Sequence, residues 1–147
     1  MKIAIGSDER THLTDFVIKE LKDKGIEFEL YGPLNEEDIE WVDVAQKVAE
    51  RVKEGSCDQG ILFCWTGTGV SIVANKVPGI RAALCADAQT AEGARKWNDA
   101  NVLALSLRMT SQIVAKEILE AWFGTNPEEE EKTNIEKVRK IEKKYYR

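Results

Sequence analysis

Gln59-Gly60-Ile61-Leu62-Phe63-Cys64-Trp65-Thr66-Gly67-Thr68-Gly69 is a short apolar run that ends in a glycine-rich turn. A run this brief and this apolar reads as a strand buried on both faces. From Gly69 to Lys76 the spacing turns helical, and Pro78-Gly79 stops it. Strand, tight turn and helix form the opening half of a βαβ unit, whose second strand is expected at Ile80–Leu84.

The same alternation runs outward in both directions. Lys2–Gly6, Glu27–Tyr31 and Asn101–Leu105 are further buried-strand patterns. Between them, Leu13, Phe16, Val17 and Leu21 share one face of a helix over Leu13–Lys24, and Gly25 supplies its stop. Val44, Ala45, Val48, Ala49 and Val52 do the same over Ile39–Glu54, and Gly55 ends it. Asp87–Lys96 and Thr110–Trp122 are two more helices, the latter opening on a Thr/Ser cap. This order predicts an α/β fold, a doubly wound parallel five-stranded sheet with helices on both faces. Ligands in such folds bind at the carboxyl ends of the strands. The strand ends to inspect are Ser7-Asp8-Glu9, Cys64–Gly69, Cys85-Ala86-Asp87 and Ser106-Leu107-Arg108.

Residues 1–125 are expected to form this one domain. Residues 126–132 read as an acidic linker with Pro127 and four consecutive glutamates, and 133–147 as a C-terminal helix with Ile135, Val138 and Ile141 on one side. Two packings are open to that helix, on its own domain or on a partner subunit.

At 147 residues the chain is one domain with a sizeable core. Hydrophobic residues make up 43% and charged residues 32%, and the net charge is −5. Interleaved charge with an acidic excess excludes a nucleic-acid footprint. No stretch approaches membrane-spanning length. Cys57, Cys64 and Cys85 are odd in number and fit no zinc spacing, so they are expected as reduced thiols in a cytoplasmic protein without a metal or cofactor.

Cys64 ends a buried strand and precedes a helix start. Backbone N–H groups there can face an anion, and the positive helix end favours a thiolate. Gly67 and Gly69 allow close approach, while Thr66, Thr68 and Ser71 add hydroxyls. A thiolate beside an anion hole suits removal of a proton from a carbon next to a carbonyl. Against this stands a buried cysteine that only fills space. A nucleotide-binding module is a third reading, since Gly67-Thr68-Gly69 begins a dinucleotide fingerprint and Asp87 follows the next strand. The third glycine is missing, however, and no Gly-Lys-Ser/Thr marks a phosphate loop. The only histidine, His12, reads as a surface or cap residue.

Several motifs occur in one order: Gly6-Ser7-Asp8, Gly60-Ile61-Leu62-Phe63-Cys64-Trp65-Thr66-Gly67-Thr68-Gly69, Ala74-Asn75-Lys76-Val77-Pro78-Gly79-Ile80-Arg81-Ala82-Ala83-Leu84-Cys85, Asn98-Asp99-Ala100-Asn101-Val102-Leu103-Ala104-Leu105 and Arg108. Together they resemble the ribose-5-phosphate isomerase type B and galactose-6-phosphate isomerase family across nearly the whole chain. The resemblance implies metal-free interconversion of aldose and ketose phosphates. It implies a homodimer or dimer of dimers with sites at subunit interfaces, or pairing with a related chain. By the same resemblance Cys64 is the base, Thr66 and Asp8 assist at sugar hydroxyls and ring opening, and the glycine loop holds the enediolate. Arg108 would bind phosphate, and Asn98 and Asp43 would line the pocket.

The chain departs from the family pattern inside that site. Glu9, then Arg10, follows Asp8 where the family has His-Ala. Trp65 replaces a glycine, Trp41 a tyrosine, and Trp97 a ring-opening histidine. The family's C-terminal phosphate arginines fall at Thr133 and Lys137. Losing two imidazoles removes groups that move protons near neutral pH, and a lysine cannot replace a bidentate arginine. Trp41, Trp65 and Trp97 could together form a carbohydrate platform, or merely fill a smaller pocket. The sequence thus leaves an isomerase with a substrate other than ribose 5-phosphate, a catalytically altered sugar-binding or assembly subunit, and the nucleotide module.

Overall fold

A computed structural model describes residues 1–146. Five parallel strands form one sheet: β1 (Lys2–Ser7), β2 (Glu27–Tyr31), β3 (Gln59–Cys64), β4 (Ala82–Leu84) and β5 (Val102–Ser106), in the order β2-β1-β3-β5-β4. The helices are α1 (His12–Asp23), α2 (Trp41–Lys53), α3 (Thr68–Ala74), α4 (Ala88–Asn98), α5 (Gln112–Phe123) and α6 (Lys132–Tyr145). Short 3-10 turns at Gly32–Asn35 and Glu129–Glu131 have no apolar periodicity, so the sequence did not signal them.

Strand alternation sorts the core into two layers. Ile3, Ile5, Ile61, Phe63, Leu103 and Leu105 face α1, α4 and α5, with Trp122 fully buried among them. Ala4, Leu62, Cys64, Val102 and Ala104 face α2 and α3. The sheet is therefore covered on both sides, as the near-continuous apolar strands require. The strand order switches direction between β1 and β3, with β2 added on one side and the later strands on the other, and the crevice at this switch point opens where Asp8 and Cys64 leave their strands.

Most boundaries differ from the sequence reading by one or two residues, and the starts of β4 and α2 show the local geometry behind the shift. β4 begins at Ala82 and not Ile80, because the Arg81 amide donates to the Asn101 side chain at 2.8 Å instead of joining the ladder. On the free side of β4, Asn75 Nδ2 donates to the Ala82 carbonyl at 3.0 Å and its Oδ1 accepts from the Ala82 amide at 2.8 Å. α2 begins at Trp41 and not Ile39, after an uncapped extended Glu40.

The acidic segment is tied down. Glu128 donates its amide to the Lys96 carbonyl at 2.8 Å, and the two side chains pair at 3.1 Å. α6 docks on its own domain through buried Ile135, Glu142 accepting from the Gly79 amide at 2.8 Å, and Arg139 pairing with Asp99 at 3.7 Å. Val138, Ile141 and Tyr145 remain exposed along it. Position 147 of the expected helix lies outside the described residues.

Candidate active site

The site grows from the ends of three adjacent strands. Cys64 is the last residue of β3 and is 6% exposed, pointing to the α2–α3 face. Its loop is stitched to the end of β5: the Leu107 amide donates to the Cys64 carbonyl at 3.0 Å and the Arg108 amide to the Trp65 carbonyl at 3.1 Å. Ser106 Oγ also donates to the Trp65 carbonyl at 3.0 Å and accepts from the Met109 amide at 3.2 Å. Ser106 is an organiser; the sequence placed it at a strand end to inspect but gave it no role, since a serine closing an apolar run was its only signal.

Gly67 then caps α3 with a left-handed φ of 78°. A Cβ there would lie 2.5 Å from Leu84 Cδ1 and 3.0 Å from the Leu105 carbonyl carbon. Only glycine makes this turn without displacing β4 and β5. Thr66 and Thr68 share a hydrogen bond at 2.7 Å, so the two hydroxyls form one rim, and half-buried Ser71 follows on α3. The first amides of α3, from Thr68 and Gly69 onward, have no intrahelical acceptor.

Asp8 leaves β1 alongside, its amide donating to the Phe63 carbonyl at 3.3 Å. Its Oδ1 is buried with no hydrogen-bond partner. Burial, and then the charge of Glu9, pushes the Asp8 carboxyl above the ordinary aspartate range. Ser7 Oγ bonds both the carbonyl and amide of Glu9, which fixes this turn. Glu9 and Arg10 are exposed beyond it, and Arg10 Nε donates to Asp15 at 2.9 Å.

The three tryptophans separate. A Cβ on Gly69 would meet the Trp41 ring at 2.8 Å, so the Trp41 indole lies against the loop backbone. Trp65, 58% exposed, borders the same loop, and exposed Asp43 sits in the first turn of α2 after Trp41. Trp97 instead lies back over Gly93 at the end of α4, which is the amino edge of the sheet. The length of β5, about 13 Å, divides that edge from Cys64. Trp97 and Asn98 line a cavity of about 700 Å³ with Ile80, Arg81, Val138 and Tyr145. Lys137 faces a second recess beside Asp99 and Glu128. One chain therefore places Asp8, Glu9, Arg10, Trp41, Asp43, Cys64–Gly69, Ser71 and Arg108 on the segments at the carboxyl end of the sheet, away from Trp97, Asn98 and Lys137. The helices run back against the strands, so motif order along the chain gave no hint of this split.

His12, the first residue of α1, is exposed on a helix covering the opposite sheet face from Cys64. Cys57, Cys64 and Cys85 are unpaired and buried. Burial pushes the Cys85 thiol up to about 12, which suits an inert core residue. Among the described residues, no group of three or more His, Cys, Asp or Glu is placed to hold a metal ion, and no helix is long and apolar enough to cross a membrane.

The family model described as Ribose/Galactose Isomerase matches residues 3–141. The chain belongs to this family. A relative from Pectobacterium atrosepticum, named D-erythrulose-4-phosphate isomerase, is 44% identical over 126 residues, covering 84% of this chain and 82% of its own. Ribose-5-P isomerase B of Listeria innocua is 42% identical over 127 residues, 86% of each chain. The solved structure of Clostridium thermocellum ribose-5-phosphate isomerase B superposes with a TM-score of 0.90 at 43% identity, covering 99% of both chains. The parallel sheet and the added C-terminal helix are thus those of the ribose/galactose isomerases.

Proposed function

We propose that the protein is an aldose–ketose isomerase acting through a cis-enediolate, with Cys64 as the base and a substrate other than ribose 5-phosphate. The observation that carries this reading is the placement of Cys64. It ends the central strand at the point where strand order switches, between Asp8 just after β1 and the loop after β5 that carries Arg108. The Cys64 thiolate takes the proton from the carbon beside the carbonyl, and the electron pair forms the enediolate double bond. Negative charge gathers on the former carbonyl oxygen, where loop amides from Gly67 to Gly69 stabilise it. Returning the proton to the neighbouring carbon completes the transfer. Asp8 and the Thr66–Thr68 hydroxyl pair move the accompanying proton between sugar oxygens; a raised carboxyl is suited to donating one. Arg108 and Arg10 supply positive charge for an anionic substrate in an otherwise acidic chain.

A second copy of the chain completes the site in this reading. Exposed Ile72, Trp65, Met109 and Ile113 surround the crevice, while Val138, Ile141 and Tyr145 lie near Trp97 and Asn98 at the far edge. A two-fold pair would bring one chain's far edge to its partner's crevice. The unpaired thiols support a reducing, cytoplasmic setting.

The test is deuterium exchange from solvent into the carbon next to the carbonyl, across free and phosphorylated sugars. Wild type should exchange at least one sugar, and Cys64→Ala should lose about 10²–10⁴-fold, the usual contribution of a general base. Exchange unaffected by Cys64→Ala would remove Cys64 from the mechanism. Sugar binding without exchange would instead favour a non-catalytic family member.

A further inference from the structure

The peptide bond between Trp65 and Thr66 is held in one orientation. The Trp65 carbonyl accepts from two groups at the end of β5, Ser106 Oγ at 3.0 Å and the Arg108 amide at 3.1 Å. A carbonyl can only accept and an amide N–H can only donate, so the Ser106 hydroxyl has one direction open to it. Its hydrogen goes to the Trp65 carbonyl, and its lone pair takes the Met109 amide at 3.2 Å. The Ser106 carbonyl in turn accepts from the Thr110 amide at 3.2 Å, which fixes the serine from its own turn. Ser106 is buried, so water does not compete for these bonds.

The peptides of the described residues are all trans. In a trans peptide the C=O and the N–H point in opposite directions. The Trp65 carbonyl points to the β5 side of β3, so the Thr66 N–H points to the β1 side, where Asp8 leaves its strand. Among the described residues the Thr66 N–H has no acceptor. On that same side Asp8 Oδ1 is buried without a donor. An unused donor and an unused acceptor suit a ligand that carries both an oxyanion and a hydroxyl, as an enediolate does. Two hydrogen bonds on its carbonyl also polarise the peptide, which strengthens the Thr66 N–H as a donor.

We propose that Ser106 is a positioning residue for the isomerisation: through the Trp65 carbonyl it aims the Thr66 N–H at the oxygen that gains charge in the enediolate. This rests on the isomerase reading above. Ser106 itself touches no reacting atom. A donor already aimed when charge develops needs no reorientation, and that is where its catalytic value lies. Without the hydroxyl, the Arg108 amide alone holds the carbonyl, and the peptide is free to rock away from the crevice.

The experiment uses the full chain as wild type, Ser106→Ala and Ser106→Thr. Amide NMR follows titration with glycolohydroxamate, a planar mimic of the enediolate without the rest of the sugar, and with glycolamide, which lacks its N-oxygen. In parallel, deuterium exchange is measured with the sugar that wild type exchanges fastest. Glycolohydroxamate should shift the Thr66 amide signal in wild type. Ser106→Ala should weaken it about ten-fold, the loss of one hydrogen bond, and leave glycolamide unchanged. The saturated exchange rate should fall about ten-fold with KM unchanged, the pattern of an interaction made only in the transition state. Ser106→Thr keeps the hydroxyl and should restore both. A Thr66 signal that ignores the hydroxamate in wild type overturns the proposal, and so does equal weakening of both ligands. A lower Tm for Ser106→Ala with unchanged binding and rate would leave Ser106 a packing role only, and also overturns it. Exchange that needs Cys64 but not Ser106 would sink this inference alone. Ser106-dependent hydroxamate binding in a wild type that exchanges no sugar would sink the isomerase reading and leave the aimed amide standing.

Discussion

The Asp8 carboxyl keeps one oxygen buried and unpartnered beside Glu9, so its protonation state is linked to folding. Its folded value lies above the ordinary aspartate range, which means the folded chain binds that proton more tightly than the unfolded chain. The resulting stabilisation is fully present below the ordinary range, near pH 4, and is lost as pH rises through the raised value. At neutral pH the charged group is a net cost. Asp8→Asn should therefore raise stability at pH 7 by about 1 kcal/mol, at the low end for an unsatisfied buried group because the carboxyl is partly solvated. The gain should vanish below pH 4, and isomerisation should fall. Thermal unfolding from pH 4 to 8 reads this, and a lower Tm at pH 7 would contradict it. Asp8, Cys64 and Gly67 were legible as sequence because a buried strand followed by turn residues fixes where such side chains emerge. The orphaned Asp8 oxygen and the tie from Ser106 were not, since both depend on which neighbouring strand end lies within hydrogen-bond reach.

β3, Gly67 and α3 act as one element whose geometry depends on a single left-handed residue. Gly67→Ala would press a methyl against Leu84 and the Leu105 backbone. Overpacking of this kind costs about 1–3 kcal/mol, and the positive φ of an L-residue adds about 1–2 kcal/mol. Urea unfolding should register that loss. Activity should drop by about 10²-fold through misplacement of the loop, even where the protein stays folded. An unchanged exchange rate in folded Gly67→Ala would show that the loop's shape is not part of the chemistry. At this scale strands were readable as short continuous apolar runs and helices as period-3.6 patterns. The starts of β4, α2 and α5 shifted by two residues. At β4 the cause is the Asn101 side chain, which takes the Arg81 amide the ladder would have used.

Taken whole, the molecule has apolar surface at both ends of its sheet, Ile72, Met109 and Ile113 at one and Val138, Ile141 and Tyr145 at the other. The five-stranded doubly wound fold followed from the alternation of patterns. The separation of Trp97 and Asn98 from Cys64 did not, because a linear motif does not say which end of the sheet a helix reaches. If a second copy joins the two ends, Ile141→Glu should shift the protein toward monomer in sedimentation velocity and reduce exchange along with it. An unchanged sedimentation coefficient would show that this surface joins nothing. Asn75 constrains what kind of assembly is open. Its amide group occupies both the N–H and the C=O that Ala82 turns outward, in the place a sixth strand would take. Covering Ala82 in this way shortens the edge open to a foreign strand. Asn75→Ala would uncover that edge next to exposed Leu84, and the first sign would be fibrillar aggregation on storage, before any change in the active site.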